Sequence, residues 1–232
     1  MISKQILITG ASRGIGYETA LSLANEGHRV IATARSEKEL SDLKMIGKGQ
    51  IYTVAADLTT TQGIQLILTA VNDQGGSIDG LINNAGLLIN KPFPDLTDRD
   101  WQDLFEVNLL GPARLTRELV NTFNKNSHIL NISSMGGYQQ SRKFSGLSGY
   151  SSLKGGLVIL SECLAEELKP LKISSNCLCL GAVQTEMFST AFPGMTAPVQ
   201  PEEMGRYIAH FLLEGHRYFN GKSLPVALAD PD

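Results

Sequence analysis

At 232 residues, 42% of them hydrophobic, the chain is long enough to bury one sizeable core and short of what two full domains need. Its formal net charge is -3, with lysine and arginine interspersed among acids, so it offers no broad basic footprint for nucleic acid. No apolar run approaches the roughly 18 residues of a membrane span.

The start "MISKQILITG" enters a strand-like run without the apolar core of a signal peptide, and a cytoplasmic protein with no membrane partner is expected. Short β-branched runs then alternate with longer segments of helical period. "KQILIT" precedes 14–26, "RVIAT" precedes 37–45 and "QIYTVAA" precedes 60–74. "DGLIN" precedes 98–125, "HILNIS" precedes 149–169, and "ISSNCLCL" precedes 202–213, with "KSLPV" last. Such alternation predicts an α/β fold over residues 1–232. It is a doubly wound Rossmann-type parallel sheet of about seven strands, helices on both faces, in a single domain. The stretch "FSTAFPGMTAPVQPEE" carries Pro193, Gly194, Pro198 and Pro201, so no regular element is expected there before the last helix. It belongs to a substrate lid over about 186–201. Cys163, Cys177 and Cys179 lack the paired spacing of a zinc site, so no metal is expected and the thiols are read as small buried apolar groups in a reducing compartment.

Doubly wound sheets bind ligands beyond the carboxyl ends of their strands. The first such loop, "ITGASRGIG", places Gly10, Gly14 and Gly16 between strand and helix, where missing side chains let the backbone approach a pyrophosphate at a helix N-terminus. The spacing is G-x-x-x-G-x-G rather than G-x-G-x-x-G, and a tight turn is the alternative use of these glycines. Ser12, Arg13 and Ile15 complete the candidate cofactor loop. About 20 residues on, an acid would take a ribose 2′-hydroxyl, whereas an arginine accommodates a 2′-phosphate. Here Ala34 and Arg35 stand in that place. Arg13 is a second cation for the same phosphate, so NADPH is expected in preference to NADH.

"YSSLK" sets Tyr150 and Lys154 one turn apart on one helix face. With the glycine loop, "NNAG" at 83–86 and this pair in order, the chain resembles the short-chain dehydrogenase/reductase family from Ile6 to about Met187. The resemblance implies that "NNAG", with Asn84, Ala85 and Gly86, steadies the sheet and lines the adenosine side of the cofactor. It implies that Asp57, followed by Leu58, meets the adenine; a cap for the next helix is an equally good role for Asp57. It also implies a catalytic set of Asn108, Ser134, Tyr150 and Lys154. Tyr150 is then the acid that protonates a carbonyl oxygen as hydride reaches the carbon, and Lys154 supplies the charge that favours the phenolate. By resemblance, Lys154 also holds the nicotinamide ribose, Ser134 orients the substrate oxygen, and Asn108, at a kink in 98–125, holds a water that relays protons to Lys154. The nicotinamide carboxamide falls to Val183 and Thr185.

Leu153, Leu157, Leu160, Leu164 and Leu168 form an apolar stripe beside the Tyr150 face. Gly155 and Gly156 cost roughly 1 kcal/mol each relative to alanine, which close backbone packing would justify. In the family this helix commonly pairs with its copy, so a homodimer or homotetramer is implied. Three features depart from the family's pattern. Ser134 and Tyr150 stand sixteen positions apart, so "YQQSRKFSGLSG" must bulge for Ser134 to face Tyr150, with Ser133 as fallback. Leu180 stands where a proline is usual, which predicts a looser turn before Val183. "GKSLPVALADPD" lacks the usual closing glycine pair.

Tyr138, Met187, Phe188, Phe192 and Met195 suit an apolar carbonyl or alcohol substrate, and no lysine or arginine among 187–201 would hold a strongly anionic one. The sequence thus points to an NADPH-dependent ketone or aldehyde reductase. An NAD-dependent alcohol dehydrogenase and a cofactor-binding regulator without turnover are the alternatives.

Overall fold

The structure is a computed structural model describing residues 2–47, 49–139 and 141–228. Gln140 of the long connection before Tyr150 and the last four residues of the C-terminal tail lie outside the described residues. Seven parallel strands, β1 (Gln5–Thr9), β2 (Arg29–Ala34), β3 (Ile51–Ala55), β4 (Ile78–Asn83), β5 (Phe123–Ser134), β6 (Ile173–Leu180) and β7 (Ser223–Val226), lie in the order β3-β2-β1-β4-β5-β6-β7. The order reverses between β1 and β4, which opens a crevice at their carboxyl ends.

Alternate residues of the strands feed two cores. Ile6, Ile8, Val30, Ala32, Ile82 and Leu130 pack against α1 (Gly14–Asn25), α2 (Glu37–Ile46) and α8 (Pro201–Glu214). Leu7, Ile31, Leu81 and Ile129 face the other way, onto α3 (Thr61–Asp73) and α5 (Gly111–Leu119). Burial on both faces explains why these strands read as continuous apolar runs.

The segment 98–125 differs from its expected single helix. It forms α4 (Asp98–Phe105), a π-helical turn at Glu106–Leu110 and α5. The chain then leaves the helix, because the Thr122 hydroxyl donates to the Leu119 carbonyl at 2.8 Å and β5 already begins at Phe123. The lid also departs from expectation. It contains a short helix, α7 (Glu186–Ala191), whose start is fixed by the Thr185 hydroxyl accepting from the Phe188 N–H at 3.2 Å. Pro201 does not break the next helix but begins it, at a position where its missing N–H costs nothing. Helix α6 (Ser148–Glu167) runs as anticipated, with Leu153, Leu157 and, just beyond its end, Leu168 buried.

Candidate active site

At the head of α1 the glycine loop is shaped by close approach. A side chain on Gly10, whose φ is +67°, would sit 2.7 Å from the Ala85 Cα, and one on Gly16 would collide with the Gly10 carbonyl. The Asn84 side chain donates at 3.0 Å to the carbonyls of Thr9 and Gly10. The Thr9 hydroxyl accepts from the N–H groups of Asn84 and Ala85, each at 3.1 Å. "NNAG" thus staples the β4 loop to the β1 loop.

Helices α2, α3, α4 and α7 each begin with a side chain accepting from their first turn. Helix α1 has no such cap and no acid in its first turn. Its leading N–H groups therefore keep their capacity for an anion, which is the fit a cofactor diphosphate requires. Ser12, Arg13 and Ile15 lie in this loop and turn; Thr185 packs 3.3 Å from where a side chain on Gly14 would sit. Arg35 is exposed, and among the described residues no carboxylate pairs with it. Arg13 is engaged, 2.9 Å from Glu186 and 3.7 Å from Glu39. Asp57 accepts from the N–H and hydroxyl of Thr59 at 2.9 and 2.8 Å, so its carboxylate shapes the turn before α3, with Leu58 buried behind it. Cap duty for α3 itself passes to Thr60, whose hydroxyl accepts from the Gly63 N–H at 3.0 Å.

At the far side of the crevice, Tyr150 and Lys154 rise from α6. Both are buried, and the Lys154 Nζ lies 5.8 Å from the Tyr150 ring centroid. It donates to the Ile132 carbonyl of β5 at 2.8 Å. Gly86 clears the space in front, since a side chain there would stand 3.3 Å from the Asn108 Oδ1 and 3.5 Å from the Lys154 Nζ.

The two serines are placed differently. The Ser133 hydroxyl is buried and donates to the Lys154 carbonyl at 2.9 Å, so it serves the α6 backbone. Ser134 lies on the Tyr150 side, near enough to oppose the rise of its phenol, and its hydroxyl accepts from the Gly136 N–H at 3.2 Å. The long connection accommodates this by folding on itself. Met135–Gly137 turn tightly against α6, with a side chain on Gly137 only 2.6 Å from the Gly155 nitrogen. The Ser141 hydroxyl then donates to the Tyr138 carbonyl at 3.0 Å. The glycines of α6 are explained here: Gly155 meets Gly137, and Gly156 meets Leu109 of the π-helical turn, where a side chain would lie 3.1 Å from its Cδ2.

Two of these residues are shaped by their surroundings. Burial pushes the Tyr150 phenol up to about 12, with the Ser134 hydrogen bond opposing, and pulls the Lys154 ammonium down to about 8, with Cys177 and Cys179 opposing. Burial thus favours the protonated phenol. The Asn108 side chain is also committed. Its amide donates to the carbonyls of Leu87 and Leu104 at 2.9 and 3.1 Å, and its oxygen accepts from the Leu87 N–H at 3.1 Å. It fixes the π-helical turn and the β4 loop, leaving only its backbone carbonyl to hold a water. Pro112, four residues on, has no N–H to return to that carbonyl.

Leu180 ends β6 as a buried residue paired with Val226 of β7 and Ser134 of β5, so the strand continues where a proline would stop it. The turn that follows is not loose. Val183 bridges Val199, the Gln184 N–H donates to the Val199 carbonyl at 2.8 Å, and the Thr185 N–H to the Val183 carbonyl at 2.7 Å. Residues 184–198 are therefore an excursion with both feet tied together. In it, Phe188 and Phe192 lie with ring centroids 5.2 Å apart and Met187 and Met195 are exposed. Tyr138 instead packs on the cluster of Met135, Val158, Cys177 and Cys179.

Sequence reasoning missed the buried ladder that joins the sheet beneath this site. The Asn83 amide donates to Asn131 at 2.8 Å and to Thr116 at 3.3 Å, and the Asn131 amide to Ser161 at 2.8 Å. Asparagines inside the strands "LINN" and "ILNIS" were its signal, since a central strand buries them only when they are partnered.

Comparison with known proteins agrees with this geometry. Residues 4–195 match the short chain dehydrogenase family. The chain is 34% identical over 190 residues to the 3-oxoacyl-(acyl-carrier-protein) reductase FabG of Escherichia coli (strain K12), covering 79% of this chain and 75% of that one. Its fold superposes with a TM-score of 0.88 on the 3-ketoacyl-(acyl-carrier-protein) reductase of Brucella melitensis in complex with NADH, at 26% identity and 96% coverage of both chains. The same TM-score of 0.88 relates it to the L-sorbose reductase of Gluconobacter frateurii in complex with NADPH and L-sorbose, at 25% identity, covering 98% and 96%. The chain belongs to the short-chain dehydrogenase/reductase family, and its class of activity is NAD(P)-dependent carbonyl reduction.

Proposed function

We propose that the protein is an NADPH-preferring reductase of ketones or aldehydes, with Tyr150 as acid, Ser134 and Lys154 beside it, and Asn108 as the residue that holds the wall of the site. The observation that carries this is the convergence of Tyr150, Ser134 and Lys154 at the end of the crevice whose other end is the uncapped, glycine-lined start of α1.

A nicotinamide cofactor, when bound, supplies the hydride. The residues suited to hold it are Gly10, Ser12, Gly14, Ile15 and Gly16 at the diphosphate, and Arg13 and Arg35 at a 2′-phosphate. Asp57, Leu58, Asn84, Ala85 and Gly86 suit the adenosine side, and Val183, Thr185, Tyr150 and Lys154 the nicotinamide side. The Tyr150 Oη donates its proton to the substrate oxygen as negative charge builds there. Its high proton affinity suits the reducing direction, in which the enzyme begins with a neutral acid. Lys154 stays largely protonated near neutrality and stabilises the phenolate left behind, and Ser134 hydrogen-bonds the same substrate oxygen. Proton return to Tyr150 passes by way of Lys154 and a water at the Asn108 carbonyl.

Arg35, exposed and without a carboxylate partner among the described residues, supports NADPH. An apolar carbonyl compound suits Met187, Phe188, Phe192 and Met195. Names of the relatives add 3-oxoacyl thioesters to the substrates worth testing, and Arg142 and Lys143, exposed in the connection before α6, suit their charge. A homodimer or homotetramer fits the exposed Phe105 and Ile159 on α4 and α6, and a cytoplasmic location fits the three free cysteines.

The test is titration with NADPH and NADH, following nicotinamide fluorescence, then turnover on ketones, aldehydes and 3-oxoacyl thioesters. Arg35→Asp is expected to weaken NADPH by roughly tenfold to a hundredfold, the loss of a charge-assisted contact, and to reverse the preference. An unchanged preference would remove Arg35 from the reading, and binding of neither cofactor would remove the reading itself.

A further inference from the structure

We propose that Glu186 is a specificity-determining residue: its carboxylate competes with the cofactor's 2′-phosphate for Arg13, and so sets the margin by which NADPH is preferred. This rests on the reading of Arg13 as a 2′-phosphate ligand. Arg13 stands just before α1, and its Nη1 is held 2.9 Å from the Glu186 Oε2 and 3.7 Å from the Glu39 Oε1. The three residues come from three elements that ring the crevice: the loop after β1, the first turn of α2 after β2, and the first residue of α7 after β6.

The bridge from Arg13 to Glu186 is no isolated excursion of two long side chains. Thr185, the residue before Glu186, packs against Gly14, the residue after Arg13, 3.3 Å from where a side chain on that glycine would sit. The two segments are therefore already in close approach, and the carboxylate is delivered to the guanidinium by the helix start that Thr185 caps. Both partners remain open to water, with side chains 60% and 66% exposed. An exposed carboxylate pair is weak and exchangeable, whereas a phosphate carries more charge and takes a guanidinium bidentately. Phosphate therefore displaces Glu186, but only after overcoming its hold, and a dinucleotide without the 2′-phosphate never meets that competition. Glu39, more distant, acts in the same sense and more weakly. The acid thus tempers a preference that the arginines create.

The experiment is a binding cycle. Affinities for NADPH and NADH are measured by nicotinamide fluorescence for the unaltered protein, Glu186→Gln, Arg13→Gln and the double variant. Glu186→Gln is expected to raise the NADPH-to-NADH affinity ratio about threefold, the scale of an exposed ion pair, and to do nothing to the ratio when Arg13 is already replaced. Glu39→Gln should give a smaller rise. If Glu186→Gln shifts both cofactors by one factor, or if its gain survives the loss of Arg13, Glu186 is a strut for α7 or a general negative charge, and the proposal falls while the reading of Arg13 stands. If Arg13→Gln alone leaves the ratio unchanged, the reading of Arg13 fails, and the proposal with it. Glu186 is exposed, so the substitution leaves the fold intact and an unchanged melting temperature verifies this.

Discussion

The two sides of the crevice are built by different means. The wall formed by β4, β5 and α6 is held by buried polar contacts, with Asn83, Asn131, Ser161, Asn108 and Lys154 all nearly inaccessible to water. The lid, 184–198, is held by surface contacts: Arg13 to Glu186, the Asn90 amide to the Ala191 carbonyl at 2.8 Å, and Gln184 to Ser189 at 3.0 Å. Buried hydrogen bonds are costly to leave unmade and fix one geometry, whereas exposed ones exchange with water and permit several. On the proposed function, chemistry that tolerates no misplacement falls to the wall, and the admission and release of substrate falls to the lid.

Replacing the acid breaks the wall's function most completely. Tyr150→Phe keeps the ring and its packing and removes the proton, so kcat should fall about a thousandfold with NADPH affinity nearly unchanged. Stopped-flow or steady-state consumption of NADPH measures the first, and fluorescence titration the second. Near-normal turnover would show that another group delivers the proton.

Acid should break the wall's foundation before it touches the lid. His128 of β5 is buried, with its Nδ1 2.9 Å from the Leu212 carbonyl and its Nε2 3.0 Å from the Asn176 amide nitrogen. A carbonyl only accepts, so Nδ1 carries the hydrogen and Nε2 accepts from Asn176, which leaves no room for a second proton. Burial, the first cause, pulls the imidazole down to about 4. The unfolded chain therefore binds a proton that the folded chain refuses between pH 6.5 and about 4. Stability is lost as pH falls through that window, by on the order of 3 kcal/mol at its end. Urea midpoints for the unaltered protein and His128→Gln should converge as pH falls from 7 to 4.5. Parallel loss in both would assign the effect to other groups.

The polar ladder should respond next. Asn131→Ala removes the acceptor of Asn83 and the donor to Ser161 in a site closed to water, at a cost of about 2 kcal/mol. A urea midpoint unchanged by this substitution would mean that the ladder aligns the strands without stabilising them.

Residues differ in how much of this was legible. The parallel α/β layout, the glycine-lined loop and the pairing of Tyr150 with Lys154 follow from local patterns: alternating strands and helices, glycines after the first strand, and a four-residue step along a helix; Ser134 was placed by resemblance alone, and the strand order by tertiary contacts. Helix α7 was missed because Pro193 and Gly194 nearby outweighed the signature of Thr185 followed by Glu186, which the structure shows to be a cap and a first-turn acid. The surroundings of Tyr150 were not legible for a different reason. The sequence places a cation one turn away, but not how deeply both groups are buried, and burial is what raises the phenol and lowers the ammonium. The engagement of Arg13 by Glu186 spans most of the chain and no local pattern carries it.

The smallest effect is the one that tests the lid itself. Asn90 follows β4, and its side chain meets two other loops at once: it donates to Ala191 at the end of α7, and it packs against Gly146, beside which the Lys91 N–H donates to the Gly146 carbonyl at 3.0 Å. It thereby joins the lid to the connection that brings Ser134 to Tyr150. Being exposed, Asn90→Ala should change global stability by less than about 0.5 kcal/mol. If the lid governs substrate access, the same substitution should move KM by about threefold with kcat for the chemical step nearly constant, because ground-state contacts are altered and the acid is not. Hydrogen exchange over 184–198 should quicken while exchange in β4 and β5 stays as it was. A fall in kcat of the size expected for Tyr150→Phe would instead make Asn90 part of the wall, and the division between the two sides of the crevice would have to be drawn beyond it.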